Sequence, residues 1–292
     1  MKSICKIFAD DTKIYNTTDN KDEIQSDLLS LQKWSEKWQL FFNGQKCKCL
    51  HHGRKNENHE YFFESPNGRE IIPKGEEEKD LGVTFSINLN FDSHIDATVK
   101  KANSILGLIR RNFSYIDRNV FNKLYKSLVR PHLECAQGVW SPHLKRQSKL
   151  IEGVQKRATK LISSIQHLKY DYRLRYLNLP TLEYRRLGGD MILTYNIFKT
   201  KDDNVIEKVL NVKSKSYTGT METRGHNKKL AKESFKLDLR KYSFSQRIIN
   251  IWNNLPSHIV NAKDTDTFKI LFDNHMSSEM YVYDGMDLSI EF

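Results

Sequence analysis

The sequence predicts an α+β protein, a strand-containing N-terminal third followed by a longer helical part. Three observations predict this. Near the start of the chain, apolar and polar residues alternate on both sides of an acidic pair, the pattern of half-exposed strands. From about residue 95, apolar residues recur three and four apart, the period of amphipathic helices. The charge changes at the same place. Residues 98–186 hold 19 Lys and Arg against five Asp and Glu, a net of +14 in a chain whose formal net charge is +11.

The elements follow in order. Ile4, Lys6, Ile7 and Phe8, then Asp10-Asp11, then Lys13, Ile14 and Tyr15 read as strand, turn, strand. Thr17-Thr18-Asp19 offers helix caps, and Ile24, Leu28, Leu31, Trp34 and Trp38 place a helix over 20–39. Asn43-Gly44 predicts a turn into a strand at 46–52. Residues 53–80 are polar, with Pro66-Asn67-Gly68 and Glu76-Glu77-Glu78, and predict a loop or long hairpin. Leu81-Gly82-Val83-Thr84-Phe85 predicts a short strand. Val99, Ala102, Leu106, Ile109 and Phe113 mark a helix, and Asp117 caps a second that Pro131 is expected to stop. Cys135 is expected in an apolar helical core. Further helices are expected around 150–162, 181–199, 243–254 and 264–276, with extended chain near 230–239. Residues 201–227 are polar and predict a loose linker. The expected domains are therefore 1–94, a basic helical segment 95–200, a linker 201–227 and a helical region 228–292.

Composition excludes several classes. The longest stretch free of Asp, Glu, Lys and Arg is residues 248–262, and Asn and Pro interrupt it, so no transmembrane helix is expected. Lys2 is followed by no apolar run, so no secretory leader is expected, and the chain is placed inside the cell, cytoplasmic or nuclear. Four cysteines in 292 residues do not make a disulfide scaffold. Cys47, Cys49, His51 and His52 have metal-ligand chemistry, but no fourth ligand at a zinc spacing is evident, and zinc is not expected. No segment shows a strong one-sided Trp/Leu face free of core duty, so a membrane-surface helix is not expected. The cationic segment instead suits a polyanion, because each neutralised phosphate releases condensed counterions. Phe113, Tyr115, Phe121, Tyr125, Trp140, Tyr170, Tyr172, Tyr176 and Tyr184 lie among the cations; those left exposed can stack on bases.

The flanks of the acidic pair carry a resemblance. Phe8-Ala9-Asp10-Asp11 between apolar strands resembles the acidic hairpin of reverse transcriptases. Trp38-Gln39-Leu40 with Asn43-Gly44-Gln45-Lys46-Cys47-Lys48 resembles the next palm motif of non-LTR (LINE-type) retrotransposon enzymes, of the jockey/CR1-like branch. Lys79-Asp80-Leu81-Gly82-Val83, Leu89-Asn90-Phe91 and His94-Ile95 resemble the primer-grip region. The series continues through Tyr125-Lys126-Ser127-Leu128-Val129-Arg130-Pro131-His132, Val139-Trp140-Ser141-Pro142 and Gln155-Lys156-Arg157-Ala158. It reaches Arg224-Gly225-His226, Phe244-Ser245-Gln246-Arg247 and Ile251-Trp252-Asn253-Asn254-Leu255-Pro256, covering about residues 4–276.

The resemblance implies a partial palm over 1–94, with its primer-grip region, then a helical thumb over 95–200. In the intact enzyme it implies Mg²⁺, dNTP, an RNA template and a DNA primer or target, with nucleotidyl transfer between two metal ions. Asp10 and Asp11 would be metal ligands, and Lys46 would aid departure of pyrophosphate. Leu81 and Gly82 would place the primer end, and Lys100, Lys101, Arg110, Arg111, Lys156 and Arg157 would meet the nucleic-acid backbone. A working site also needs another Asp on an earlier strand, and fingers. With the hairpin beginning at residue 4 there is no room for either, and Asp92, Asp117 and Asp171 stand in helix-cap or surface-like settings. The expectation is a C-terminal fragment that does not polymerise alone. The alternatives are a non-catalytic nucleic-acid-binding protein built from the same thumb, and a non-functional remnant.

Overall fold

The computed structural model describes residues 2–53, 55–65, 68–200, 202–210 and 225–283. The chain divides into two compact units, Met1–Phe91 and Asp92–Phe292. The fold is α+β, with small antiparallel sheets in the first unit and helices throughout the second.

In the first unit β1 (Ile4–Phe8) and β2 (Asp11–Tyr15) form an antiparallel hairpin. The register pairs Phe8 with Asp11, so Ala9 and Asp10 make a two-residue turn, with Ala9 in the left-handed region at φ +52°. A single 3₁₀ turn leads into α1 (Lys21–Trp38). The predicted strand at 46–52 does not form. The N–H groups of Lys46 and Cys47 turn back to the Asn43 carbonyl, and only a lone parallel bridge joins Cys49 to Lys74. The alternating letters there are spent on a turn and a loop.

Residues 62–86 instead make two hairpins: β3 (Phe62–Ser65) with β4 (Gly68–Ile71), and β5 (Glu77–Asp80) with β6 (Val83–Ser86). The strand expected at 81–85 is thus displaced. Leu81 and Gly82 are the turn, at φ +47° and +85°, and positive φ at both centres is what a tight type I′ hairpin turn requires. Two glutamines of α1 cover the edge of β3. Gln25 exchanges two hydrogen bonds with the Phe62 backbone, donating at 2.9 Å and accepting at 3.1 Å. Gln32 accepts from the Glu64 N–H at 2.8 Å and donates to its carbonyl. Beneath them Tyr61, Phe63 and Ile72 form a small core with Ile24, Leu28 and Phe42.

In the second unit α2 (Asp92–Asn112) turns Ile95, Ala102, Leu106 and Ile109 inward. Asp117 caps α3 (Arg118–Leu124), accepting the Val120 N–H at 2.8 Å. Pro131 does not stop the helix. A π-helical turn, Tyr125–Val129, carries it into α4 (Arg130–Glu134), with the Arg130 N–H bonding back five residues to the Tyr125 carbonyl. Proline lacks the N–H and crowds the carbonyl four residues back; widening the preceding turn removes the conflict. Cys135 ends α4 and is exposed, not core, because the chain leaves helical geometry there (ψ +128°).

Short α5 (Gln137–Trp140), then α6 (Lys145–Ala158) and α7 (Tyr170–Leu177), lead to α8 (Leu182–Lys199). α8 buries eleven of its residues over most of its circumference and leaves one face, with Leu193, Asn196 and Lys199, exposed. α9 (Asp203–Leu210) buries Ile206 and Leu210, so that part of the expected linker is helical; residues 211–224 lie outside the described residues. Residues 230–237 are irregular, and α10 (Asp238–Lys241) follows. The helix expected at 243–254 breaks into α11 (Phe244–Arg247) and α12 (Ile249–Asn254). After α13 (Ser257–Val260), Asp264 caps α14 (Thr265–His275). The C-terminal helices share one core with α8: Met191, Tyr195 and Phe198 pack with Trp252, Phe268 and Phe272. The regions expected as thumb and separate C-terminal region therefore belong to one unit, whose boundary falls at Phe91 rather than residue 94.

Candidate nucleic-acid interface

In the first unit the motif residues stand on turns. Asp10 is in the turn of the β1–β2 hairpin and Asp11 is the first residue of β2; both are exposed. Their carboxylates make no hydrogen bond or ion pair with the described residues. Lys13, two residues on, pairs with Asp80 at 2.5 Å, and its Nζ lies 5.0 Å from the centre of the Phe85 ring. This contact ties the acidic hairpin to the β5–β6 hairpin, whose tip carries Leu81 and Gly82. Leu81 is exposed at that tip, with no apolar burial to account for it. Lys46 is exposed in the Asn43 turn, and no hydrogen bond or ion pair joins it to Asp10 or Asp11.

Mg²⁺ takes six oxygen ligands in near-ideal octahedral geometry. Asp10 and Asp11 supply two exposed carboxylates, and among the described residues no group of three His, Cys, Asp or Glu is placed to hold a metal. These residues do not by themselves fit a two-ion polymerase centre. Cys49 Sγ lies 3.4 Å from His51 Nε2, while His51 Nδ1 meets the Asn56 side chain and His52 Nδ1 meets the Ile87 carbonyl. Burial pushes the Cys47 and Cys49 thiols up, away from the thiolate form a metal requires.

In the second unit Lys100, Lys101, Arg110, Arg111 and Arg157 are exposed and Lys156 is half-buried. At 100° per residue, Lys100 and Arg111 share the face of α2 opposite its buried stripe, whereas Lys101 and Arg110 lie on opposite flanks. Arg157 of α6 reaches the α2 side chain of Asn103, donating twice to Oδ1 at 3.2 and 3.0 Å, on the flank that Arg110 occupies. A neutral acceptor leaves the Arg157 charge uncompensated. Lys156 is turned elsewhere, its Nζ 5.2 Å from the Tyr170 ring and 4.4 Å from the Tyr283 ring. The six cations thus form no single patch. Arg110 and Arg111 stand at the C-terminal end of α2, where Phe113 and Tyr115 follow, 40% and 75% exposed, whereas Arg157 meets the middle of the helix at Asn103.

Other cations of this segment serve the fold. Glu134 receives Arg185 in a two-pronged contact and Arg130 at 3.6 Å, Arg146 pairs with Asp92 at 2.6 Å, and Arg173 and Arg186 are buried. Among the aromatics, Phe121, Tyr125, Trp140 and Tyr184 are core, while Phe113, Tyr115, Tyr172 and Tyr176 are exposed. Arg118 stacks over Tyr176 at 5.3 Å.

The chain also holds a buried polar network that its letters did not announce. Glu152 accepts from the Tyr170 hydroxyl at 2.5 Å and from the Leu182 N–H at 2.9 Å. Gln155 donates to the Pro180 carbonyl at 2.9 Å and accepts from the Tyr125 hydroxyl at 2.6 Å. Burial pushes the Glu152 carboxyl up, against the downward pull of the Tyr170 hydroxyl and the Arg186 charge. Glu152, Arg186 and Asp190 carry no local sequence signal, and Gln155 was visible only as a motif letter, because only packing brings their helices together.

No family model matches the chain, and no solved structure matches it. Over 121 residues it is 27% identical to an uncharacterized protein of Caenorhabditis elegans, B0403.1; the match covers 40% of this chain and 61% of that protein. The chain spans less than two thirds of the length of this curated relative. No described helix is long and apolar enough to cross a membrane.

Proposed function

We propose that the chain is the C-terminal part of a reverse transcriptase of the non-LTR retrotransposon type, and that its own share of the work is to hold an RNA–DNA hybrid. One observation carries the reading. Asp10 and Asp11 stand exposed at a tight hairpin turn with no structural partner among the described residues, ahead of a helical unit that exposes Arg110, Arg111 and Arg157. Carboxylates that stabilise nothing in the fold are free for a ligand. Guanidinium groups beside exposed aromatics suit phosphates and unstacked bases. On this reading unit 1 is part of a palm and the N-terminal helices of unit 2 a thumb. Ile7 and Phe8 of β1 are 68% and 64% exposed, which suits a hairpin that meets further polypeptide in the intact enzyme.

A second reading, a nucleic-acid-binding protein without catalysis, is favoured by the missing third carboxylate among the described residues. Both readings require salt-dependent binding. Fluorescence anisotropy of a labelled RNA–DNA hybrid should give log affinity falling linearly with log salt, and Arg110→Ala with Arg111→Ala should reduce the slope by about 1.8. Binding that ignores salt or the double substitution would sink both readings. The two readings separate in a primer-extension assay with this chain joined to the sequence encoded immediately upstream. Incorporation lost on Asp10→Asn supports the polymerase; no incorporation by the unsubstituted protein supports the binding protein.

A further inference from the structure

The second unit holds a cleft-like cavity of about 630 Å³, open to solvent on one side, between α8 and the segment from Lys232 to α12. This is the size of small-molecule sites, which pair an apolar lining with a few convergent polar groups. Leu187, Met191, Phe235 and Ile248 supply apolar wall. The polar groups are unusual in being unsatisfied. Arg186 lines the cavity, 4% exposed; its Nη2 donates to Ser148 Oγ at 3.1 Å, while its Nη1 is buried without a hydrogen-bond partner. Gln246, also in the lining, buries an Oε1 that accepts nothing. Such atoms are rare in folded proteins because each forfeits its hydration, and a bound molecule is one way to satisfy them.

The remaining charges sharpen the choice. Arg247 and Asp190 form a closed pair in the wall, with bonds of 2.8 and 3.0 Å and a further bond from Arg247 to the Gly138 carbonyl. That pair is saturated and has little to offer a ligand. The buried Glu152 carboxylate acts most strongly on Arg186, and Glu183, in the lining, adds to it; Lys232 and Lys241 also line the cavity, so with the Arg247–Asp190 pair set aside its lining cations outnumber its lining carboxylate. A ligand complementary to this site carries an acidic head for Arg186, a hydrogen-bond donor for Gln246 and an apolar body.

We propose that this cavity is a binding site for a small organic anion with an apolar or aromatic body, its acidic group held by Arg186 and a donor of its own held by Gln246 Oε1. The site does not depend on the reading of Asp10 and Asp11, and it uses none of the cations assigned to the hybrid.

The test uses the full chain and two dyes of one shape. 8-Anilinonaphthalene-1-sulfonate carries an acidic group, an N–H and two aromatic bodies; N-phenyl-1-naphthylamine is the same molecule without the sulfonate. The sulfonate should bind saturably, one per chain, and at least about tenfold more tightly than the neutral dye, the scale of one charge-assisted hydrogen bond. Lys232 is exposed, so Lys232→Glu should leave folding intact while weakening the sulfonate several-fold and leaving the neutral dye unmoved. Arg186→Gln should remove the preference for the sulfonate; if it does not fold, Lys232→Glu decides. Equal affinity for the two dyes overturns the proposal, as does sulfonate binding that Lys232→Glu leaves unchanged. So does displacement of the sulfonate by excess RNA–DNA hybrid, which would put the dye on the basic surface.

Discussion

His226 is held between two backbone groups. Its Nε2–H donates to the Trp252 carbonyl at 2.9 Å and its Nδ1 accepts the Lys228 N–H at 3.2 Å, so both nitrogens are committed with the ring neutral. Burial holds its pKa below the ordinary value near 6.5, and the charges of Lys228 and Lys229 push the same way. The unfolded chain therefore takes up a proton that the folded chain refuses. The contribution of His226 to stability is complete above about pH 6.5 and is lost as pH falls from there through the depressed value. Thermal unfolding of wild type should lose more between pH 7 and 5 than His226→Gln does; parallel curves would contradict this. Arg247 is a second residue whose motif position turns out to be structural. It is bidentate to the buried Asp190, whose carboxyl burial pushes up and Arg247 pulls back down. Arg247→Ala leaves that carboxylate buried and unpaired and should cost about 3–5 kcal/mol in denaturant unfolding. Both residues were visible in the sequence as motif letters; that they serve the fold was not, because Trp252 lies 26 residues from His226 and Asp190 lies 57 from Arg247.

The β3–β4 hairpin stands because α1 covers its edge. Gln25 and Gln32, two turns apart on the helix, satisfy the Phe62 and Glu64 backbone groups that an exposed edge leaves open. Replacing both by Ala should cost about 1–3 kcal/mol and speed amide exchange at Phe62 and Glu64 above other strand residues; unchanged exchange would show that the glutamines do not protect the edge. The helices α1, α2 and α8 were legible because each is long and periodic, and Asp117 was legible as a cap because its side-chain bond is local. The strand expected at 46–52 failed because alternation over a few residues also fits a loop that touches a core at Cys47 and Cys49 without pairing along its length. Pro131 misled because a π-helical turn can absorb it when the helix on both sides is packed, as Tyr125, Val129 and Leu133 are.

At the scale of the whole molecule, charge and carboxylates are assigned separate work. Asp10→Asn with Asp11→Asn removes two negative charges from an exposed turn that supports no other residue. Affinity for an RNA–DNA hybrid should stay within about threefold and the salt slope should not fall, since neither carboxylate releases phosphate counterions. A collapse of binding would mean that the hairpin itself holds the nucleic acid through a bound cation. The amino-acid order alone determined the α+β division near residue 92, the hairpin around Asp10, the long helices and the concentration of positive charge, all of them properties of near neighbours along the chain. Only the tertiary structure decided which cations are spent: Arg185 and Arg130 go to Glu134, Arg146 goes to Asp92, and Arg186 goes into a cavity wall, while Arg110 and Arg111 stay in solvent. Lysines and arginines read alike in a sequence. Whether each meets water, a carboxylate or an empty space depends on helices brought together from distant parts of the chain, and no local pattern of residues carries that information.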